Sequence, residues 1–345
     1  METVKSRETF LDLLRIIACF LVIVNHTNSV IFLGSSPDSL DWYVSLTYFF
    51  ISKIAVPIFF IISGYLLLKK EDNYKKSLQR ILRIVIALVA CGLIYSFYFT
   101  CVNPEPSFLK FFERFIKVYS VSPSNSLWYL YAYLGILIML PFIQKMTASM
   151  QRRDYHIFFG ISGFFVSVLP ILTHYIPEFK TSSYFQLPLF GGYICMLLIG
   201  QYFSKFEVKR TKCGFFVACA VFVIMTAFNV VATYFEYQKT PSGYLFFDNR
   251  VFLPILLQSV CAFYMVSFVK FSENASKAVS YIGSCTFGIY LLSDLVIDLL
   301  KPAYKIATNY MHPIFAVIIF EITVFALGLA IVAILKKIPY VKKII

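Results

Sequence analysis

The 345 residues are 59% hydrophobic and only 14% charged, with a mean hydropathy of +0.75, which excludes an ordinary soluble domain and points to an integral membrane protein. A net charge of +13 would suit a nucleic-acid binder, but the lysines and arginines stand in short clusters between apolar segments, and no nucleic-acid partner is expected. The eight cysteines (Cys19, Cys91, Cys101, Cys195, Cys213, Cys219, Cys261, Cys285) have no metal-ligand spacing among themselves or with His, so no metal is expected and they read as small buried hydrophobes.

Apolar runs long enough to cross a bilayer occur near 10–33, 46–68, 81–102, 127–143, 156–173, 187–203, 214–234, 251–269, 281–300 and 313–335. The first is too long for a signal peptide, carries Asp12 and Arg15, and lacks a cleavage site, so it reads as a retained span. With the N-terminus inside, 21 Lys and Arg (Lys5 and Arg7 among them) face the cytoplasm against 8 outside, leaving Arg15 and Lys53 within spans. That bias favours an even number of spans. The fold class is therefore an all-α integral membrane protein, a bundle of about ten transmembrane helices with both termini cytoplasmic. Residues 1–345 read as one membrane domain, with a short interfacial helix around 108–118.

In the first segment, Asp12 and Arg15 are three residues apart, so the carboxylate can pair with the guanidinium. His26 follows eleven residues after Arg15, about three helical turns, which puts both on one face roughly 16 Å apart along the axis. Asn25, Thr27 and Asn28 make the surroundings of His26 polar. Ionisable residues inside a span usually face a bundle interior or a water-filled cavity, so the three are a candidate site; a helix-end ion pair beside an unrelated interfacial histidine fits the same residues. In the second segment Lys53 lies too deep to be a loop charge, Gly64 allows close helix contact, and Tyr65 offers a phenol near the cytoplasmic face. A snorkelling lysine with a small-residue packing motif accounts for these equally well.

Entering the third segment, Arg80 and Arg83 lie on adjacent sides of one helical face after Lys75 and Lys76, able to grip a phosphate bidentately. Positive-inside anchoring explains them too. Further along, Asn229, Gln258, Asp294, Asp298 and Glu321 are intramembrane polar residues, fit for a hydroxylated substrate or for bonds between helices. His156, His174 and His312 fall near loops and receive no role.

With these residues in view, the chain resembles the acyltransferase family 3 membrane O-acyltransferases. The matching text is the stretch from Phe10 to Ala18, the Arg15-to-His26 spacing, Val56 to Tyr65, Arg80-x-x-Arg83, Leu127-Trp-Tyr-Leu130 and Phe287-Gly-Ile-Tyr-Leu291. In length and span number it is similar to stand-alone members of the enterobacterial common antigen O-acetyltransferase type. The resemblance implies acyl transfer from acyl-CoA, usually acetyl-CoA, to a hydroxyl of an envelope glycan or its lipid-linked precursor, in a bacterial cytoplasmic membrane. It implies that His26 is catalytic with Arg15 its partner, Asp12 being counted with them, and that Arg80 and Arg83 bind the CoA end; Lys53 and Tyr65 are the further cofactor-binding candidates. Where family members often carry histidines, this chain has Ser126 and Ser293, which leaves His26 as the catalytic imidazole. Expected partners are acyl-CoA, the glycan or lipid-linked acceptor and the bilayer, with a homodimer as one oligomeric option. Intramembrane charges also suit a transporter or flippase of a glycan intermediate, although no inverted repeat is visible.

Overall fold

The computed structural model describes residues 8–27, 31, 34–37, 39–182, 185, 191–206, 208–239 and 245–345; Lys5, Arg7 and Asn28 lie outside them. All regular structure among the described residues is helical. In chain order the helices are α1 (Thr9–Thr27), α2 (Leu40–Ser52), α3 (Ala55–Leu67), α4 (Tyr74–Cys101), α5 (Phe108–Ile116), α6 (Trp128–Ala148), α7 (Arg152–Gly163) and α8 (Leu169–Tyr175). They continue with α9 (Gly192–Lys205), α10 (Lys212–Lys239), α11 (Leu253–Val266), α12 (Glu273–Ala307), α13 (Pro313–Leu335) and α14 (Pro339–Lys342).

Among the described residues, eight helical runs are long and apolar enough to cross a membrane, α2 with α3 and α7 with α8 each forming one of them. The ten expected segments all find helices. The sixth and eighth, however, correspond to α9 and α11, of 14 residues each, shorter than the roughly 20 residues a straight span needs. Residues 187–190 of the sixth segment are outside the described part. The break between α2 and α3 falls at Lys53 and Ile54. Pro57 explains it, because proline cannot donate to the carbonyl four residues back and its ring crowds that carbonyl.

The chain separates into two compact units: one from Met1–Lys70 with Met146–Ser284, the other from Glu71–Lys145 with Cys285–Ile345. In the first, α3 and α9 pack backbone to backbone. A Cβ on Gly64 would stand 1.9 Å from the Leu197 carbonyl oxygen, and one on Gly200 equally close to that of Ile61. Gln201 ties the ends together, donating from Nε2 to the Leu68 carbonyl (3.0 Å) and to the Thr147 hydroxyl (2.9 Å). Between α10 and α11, Asn229 donates to Gln258 (3.2 Å) and Gln258 to Thr226 (2.7 Å). Such bonds between membrane helices each contribute about 0.6 kcal/mol. Trp42 is fully buried among Tyr43, Tyr234 and Tyr237.

In the second unit, Tyr95 of α4 places its hydroxyl between the carbonyl of Leu291 and the amide of Leu295, 3.1 Å from each, one turn apart on α12. Asp294 accepts from the Ser126 amide (2.8 Å), setting a carboxylate at the start of α6, where the helix dipole favours an anion. Asp294 thus serves as an anchor between helices. The expected interfacial helix is α5: it buries none of its residues and exposes Phe108, Leu109, Phe112 and Ile116. That is the pattern of a helix lying in a membrane interface. Among the cysteines Cys101 and Cys213 are exposed and Cys219 is half-buried, so the reading of all eight as buried holds for five.

Candidate functional site

α1 is an unbroken helix from Thr9 to Thr27, so the geometry expected from the spacing applies: Arg15 and His26 share a face, roughly 16 Å apart along the axis. Asp12 lies in the first turn, where a negative charge complements the helix dipole. It is 1% exposed, and a carboxylate so deeply buried needs partners. Arg15 Nη1 donates to one oxygen at 2.7 Å and the Ser280 hydroxyl to the other at 3.0 Å. The guanidinium itself remains half-buried, its side chain 29% exposed.

The clasp on Asp12 comes from α12. Ser276 meets Thr9 hydroxyl to hydroxyl at 2.6 Å, Ser280 donates to Asp12, and a Cβ on Gly283 would lie 2.7 Å from the Asp12 Cβ. Residues at these intervals of four and three share one helical face. The sequence reading missed Ser280 and Gly283; the available signal was a stripe of small residues spaced to let helices approach. His26 is half-buried in the last turn of α1, beside Thr27, whose hydroxyl is turned back to the carbonyls of Ile23 and Val24.

At the other end of α1 the first unit holds a cavity of about 490 Å³. Tyr65 lines it, as does Phe10, whose ring meets that of Tyr65 edge-on at 6.0 Å. The charged wall residues are Glu8, Lys69 and Arg210, none of which the sequence reading selected. Lys53 lies elsewhere in this unit: its ammonium pairs with Asp248 and stands 3.8 Å over the Phe49 ring. The pair, with Lys53 buried and Asp248 half-buried, lies at the α2–α3 break. His174 also pairs with a carboxylate, Glu236 (2.9 Å), which the Tyr175 hydroxyl contacts at 2.5 Å.

Arg80 and Arg83 belong to the second unit. The Asn73 side chain caps α4 by accepting from the Lys75 amide (2.9 Å), which orients the two arginines on the first turns. Arg80 is paired with Asp72, which also takes Lys76 (2.9 Å) and Gln144 Nε2 (3.3 Å). Arg83 donates from Nε to the Ile344 carbonyl (2.9 Å) and stacks 5.5 Å from the Phe287 ring. Burial alone would raise the Asp72 carboxyl, but the hydrogen bonds from Arg80, Lys76 and Gln144 outweigh it and hold it below the ordinary carboxylate value.

A depressed native value contributes stability above the unfolded value, about 3.9 for aspartate, and that contribution disappears as pH falls through the native value. Thermal melts of the wild type between pH 6 and pH 3 should therefore lose stability at the acid end, and Asp72→Asn should flatten that part of the curve. An unchanged acid limb in Asp72→Asn would show that the clasp does not contribute.

A helical protein with this many apolar spans, a buried ion pair and an imidazole on one intramembrane helix face, and a charged cavity at that helix's end is a multi-pass membrane protein built around polar chemistry. The chain belongs to acyltransferase family 3: the family model, described as an acyltransferase domain, matches residues 8–336, across both units. It is thus a membrane acyltransferase. Comparison with curated proteins and with solved structures found no match.

Proposed function

We propose that the protein moves an acyl group, acetyl in the first instance, from cytoplasmic acyl-CoA to a hydroxyl of an envelope glycan or its lipid-linked precursor, as an O-acetyltransferase of a bacterial cytoplasmic membrane. The observation that carries this reading is the pair of buried Asp12 and half-buried Arg15, clasped by Ser280, on the same face of α1 as His26. Coenzyme A has phosphates at one end and its thioester at the tip of a long uncharged arm. An extended site with cations at one end and an imidazole at the other suits that shape.

His26 acts as general base. It takes the proton of the acceptor hydroxyl as the oxygen attacks the thioester carbonyl; the C–S bond breaks, and the departing thiolate receives the proton from the imidazolium. Proton transfer of this kind contributes about 10²–10⁴-fold. In the covalent variant the imidazole itself attacks, CoA thiolate leaves, and the acetyl-imidazole passes its group to the hydroxyl. Arg15, held by Asp12, supplies positive charge to the donor or to the oxyanion that develops at the carbonyl. Arg80 and Arg83 bind the CoA phosphates, Arg80 by exchanging Asp72 for phosphate; Tyr65 is a secondary contact, whereas Lys53, expected to be another, is taken up by Asp248. Acceptors of the type modified in enterobacterial common antigen are the first to try.

Single-turnover assays with radiolabelled acetyl-CoA and full-length protein in nanodiscs test the assignment. The wild type should consume the thioester, and Arg83→Ala should weaken CoA binding about tenfold or more, as expected for loss of a bidentate phosphate contact. A wild type that neither binds nor consumes acetyl-CoA or succinyl-CoA would overturn the donor.

A further inference from the structure

The cavity at the α1 end of the first unit has a composition that the transfer reading leaves largely unassigned. Three phenylalanines, Phe10, Phe203 and Phe263, share its wall with Tyr65, Lys69 and Arg210. Its volume of about 490 Å³ falls within the range of small-molecule sites, about 300–1,000 Å³. The one lining carboxylate, Glu8, pairs with Lys69 at 3.2 Å, and Lys69 also stands 4.1 Å over the Tyr65 ring. Arg210 lies 5.5 Å from the Phe10 ring and pairs with no carboxylate among the described residues. Among the described residues the wall therefore carries a guanidinium without a carboxylate partner beside aromatic surface.

Arg210 is also held in place from behind. The Tyr264 hydroxyl donates to the Lys209 carbonyl (3.0 Å) and accepts from the Thr211 amide (3.1 Å), stapling the backbone on both sides of Arg210. Space for the staple is reserved: a Cβ on Gly214 would come within 2.6 Å of that hydroxyl. Arg210 is itself exposed, and a fixed backbone lowers the ordering cost when a ligand binds. Guanidinium groups bind phosphate through two parallel hydrogen bonds, and aromatic rings accept a planar or apolar body alongside.

We propose that this cavity is a phosphate-ester site: Arg210 grips the phosphate, Lys69 joins it by exchanging Glu8 for the ligand, and Tyr264 is a positioning residue for Arg210. This chemistry has two sources, the nucleotide end of coenzyme A and the headgroup of an anionic phospholipid. The first source rests on the acyl-CoA reading above, whereas the second does not.

The test uses full-length protein in two kinds of nanodisc. In phosphatidylcholine discs, binding of radiolabelled CoA is measured; in discs containing phosphatidylglycerol, retention of that lipid is read by native mass spectrometry. Arg210→Gln should weaken one of these probes about tenfold or more, the scale of a lost charge-assisted contact, with Arg210→Lys recovering part and Tyr264→Phe losing part. Loss of CoA binding identifies the nucleotide as the source, and loss of phosphatidylglycerol alone identifies the lipid. A second readout needs no variant. Phenylglyoxal labelling of Arg210 in the wild type should be suppressed by CoA or by phosphatidylglycerol. Equal binding of both probes by wild type and Arg210→Gln, or labelling that neither probe suppresses, overturns the site. A wild type that turns over acetyl-CoA with Arg210 unprotected refutes this proposal alone; protection by phosphatidylglycerol without turnover of any acyl-CoA refutes the donor reading alone.

Discussion

Replacing His26 with alanine is expected to lower acyl transfer by about 10²–10⁴-fold, the usual contribution of one positioned proton-transfer group, while CoA affinity stays at the wild-type level. The separation of effects follows from geometry. His26 sits in the last turn of α1, eleven residues and roughly 16 Å beyond Arg15, so its removal leaves the Asp12–Arg15–Ser280 clasp untouched. Arg83 has its own partners, Ile344 and Phe287, in the second unit. Stopped-flow thioester loss and equilibrium dialysis with CoA read the two quantities separately. Acid-quenched protein incubated with labelled acetyl-CoA and no acceptor then distinguishes the two chemistries: label on wild-type protein, absent from His26→Ala, marks an acyl-histidine. Wild-type turnover in His26→Ala would remove the imidazole from the mechanism.

The second large effect is structural. Gly64→Ala and Gly200→Ala should each destabilise the protein, by about 1–3 kcal/mol or more, the scale of overpacking a close-packed interface. Each new methyl would stand 1.9 Å from a backbone carbonyl oxygen of the facing helix, and a backbone cannot rotate aside as a flexible side chain can. Relief requires α3 and α9 to separate, which would also pull Gln201 from the Leu68 carbonyl and the Thr147 hydroxyl. Gly160→Ala is the control: nothing lies within 4 Å of its Cβ position, and alanine in a helix is favoured over glycine by about 0.5–1 kcal/mol. Melting temperatures in nanodiscs should fall for the first two variants and hold or rise for the third. A fall of equal size in all three would mean that glycine at 64 and 200 is not there for close approach.

The membrane class, the run of spans and the Asp12–Arg15 pair were legible in the sequence because each depends on neighbours within a turn or two. An apolar stretch of some twenty residues carries its own requirement for helix, and residues three apart on a helix meet wherever that helix goes. The shortness of α11 was not legible, since apolar composition continues beyond its ends while the helix stops.

What only the tertiary structure decided is which partner each charge takes. Lys53 was recognisable as too deep for a loop, but its pairing with Asp248, nearly two hundred residues on, was not. The occupation of Arg80 by Asp72 needed Gln144 of α6 beside it, and the clasp of Asp12 by Ser280 and Gly283 needed α12 against α1. The cavity of Glu8, Lys69 and Arg210 joins three segments that appear in the sequence as unrelated cytoplasmic-side charges. Hydropathy and periodicity report the local cost of leaving water. The choice among ion-pair partners is made by whichever helices pack together, and that is a property of the fold alone.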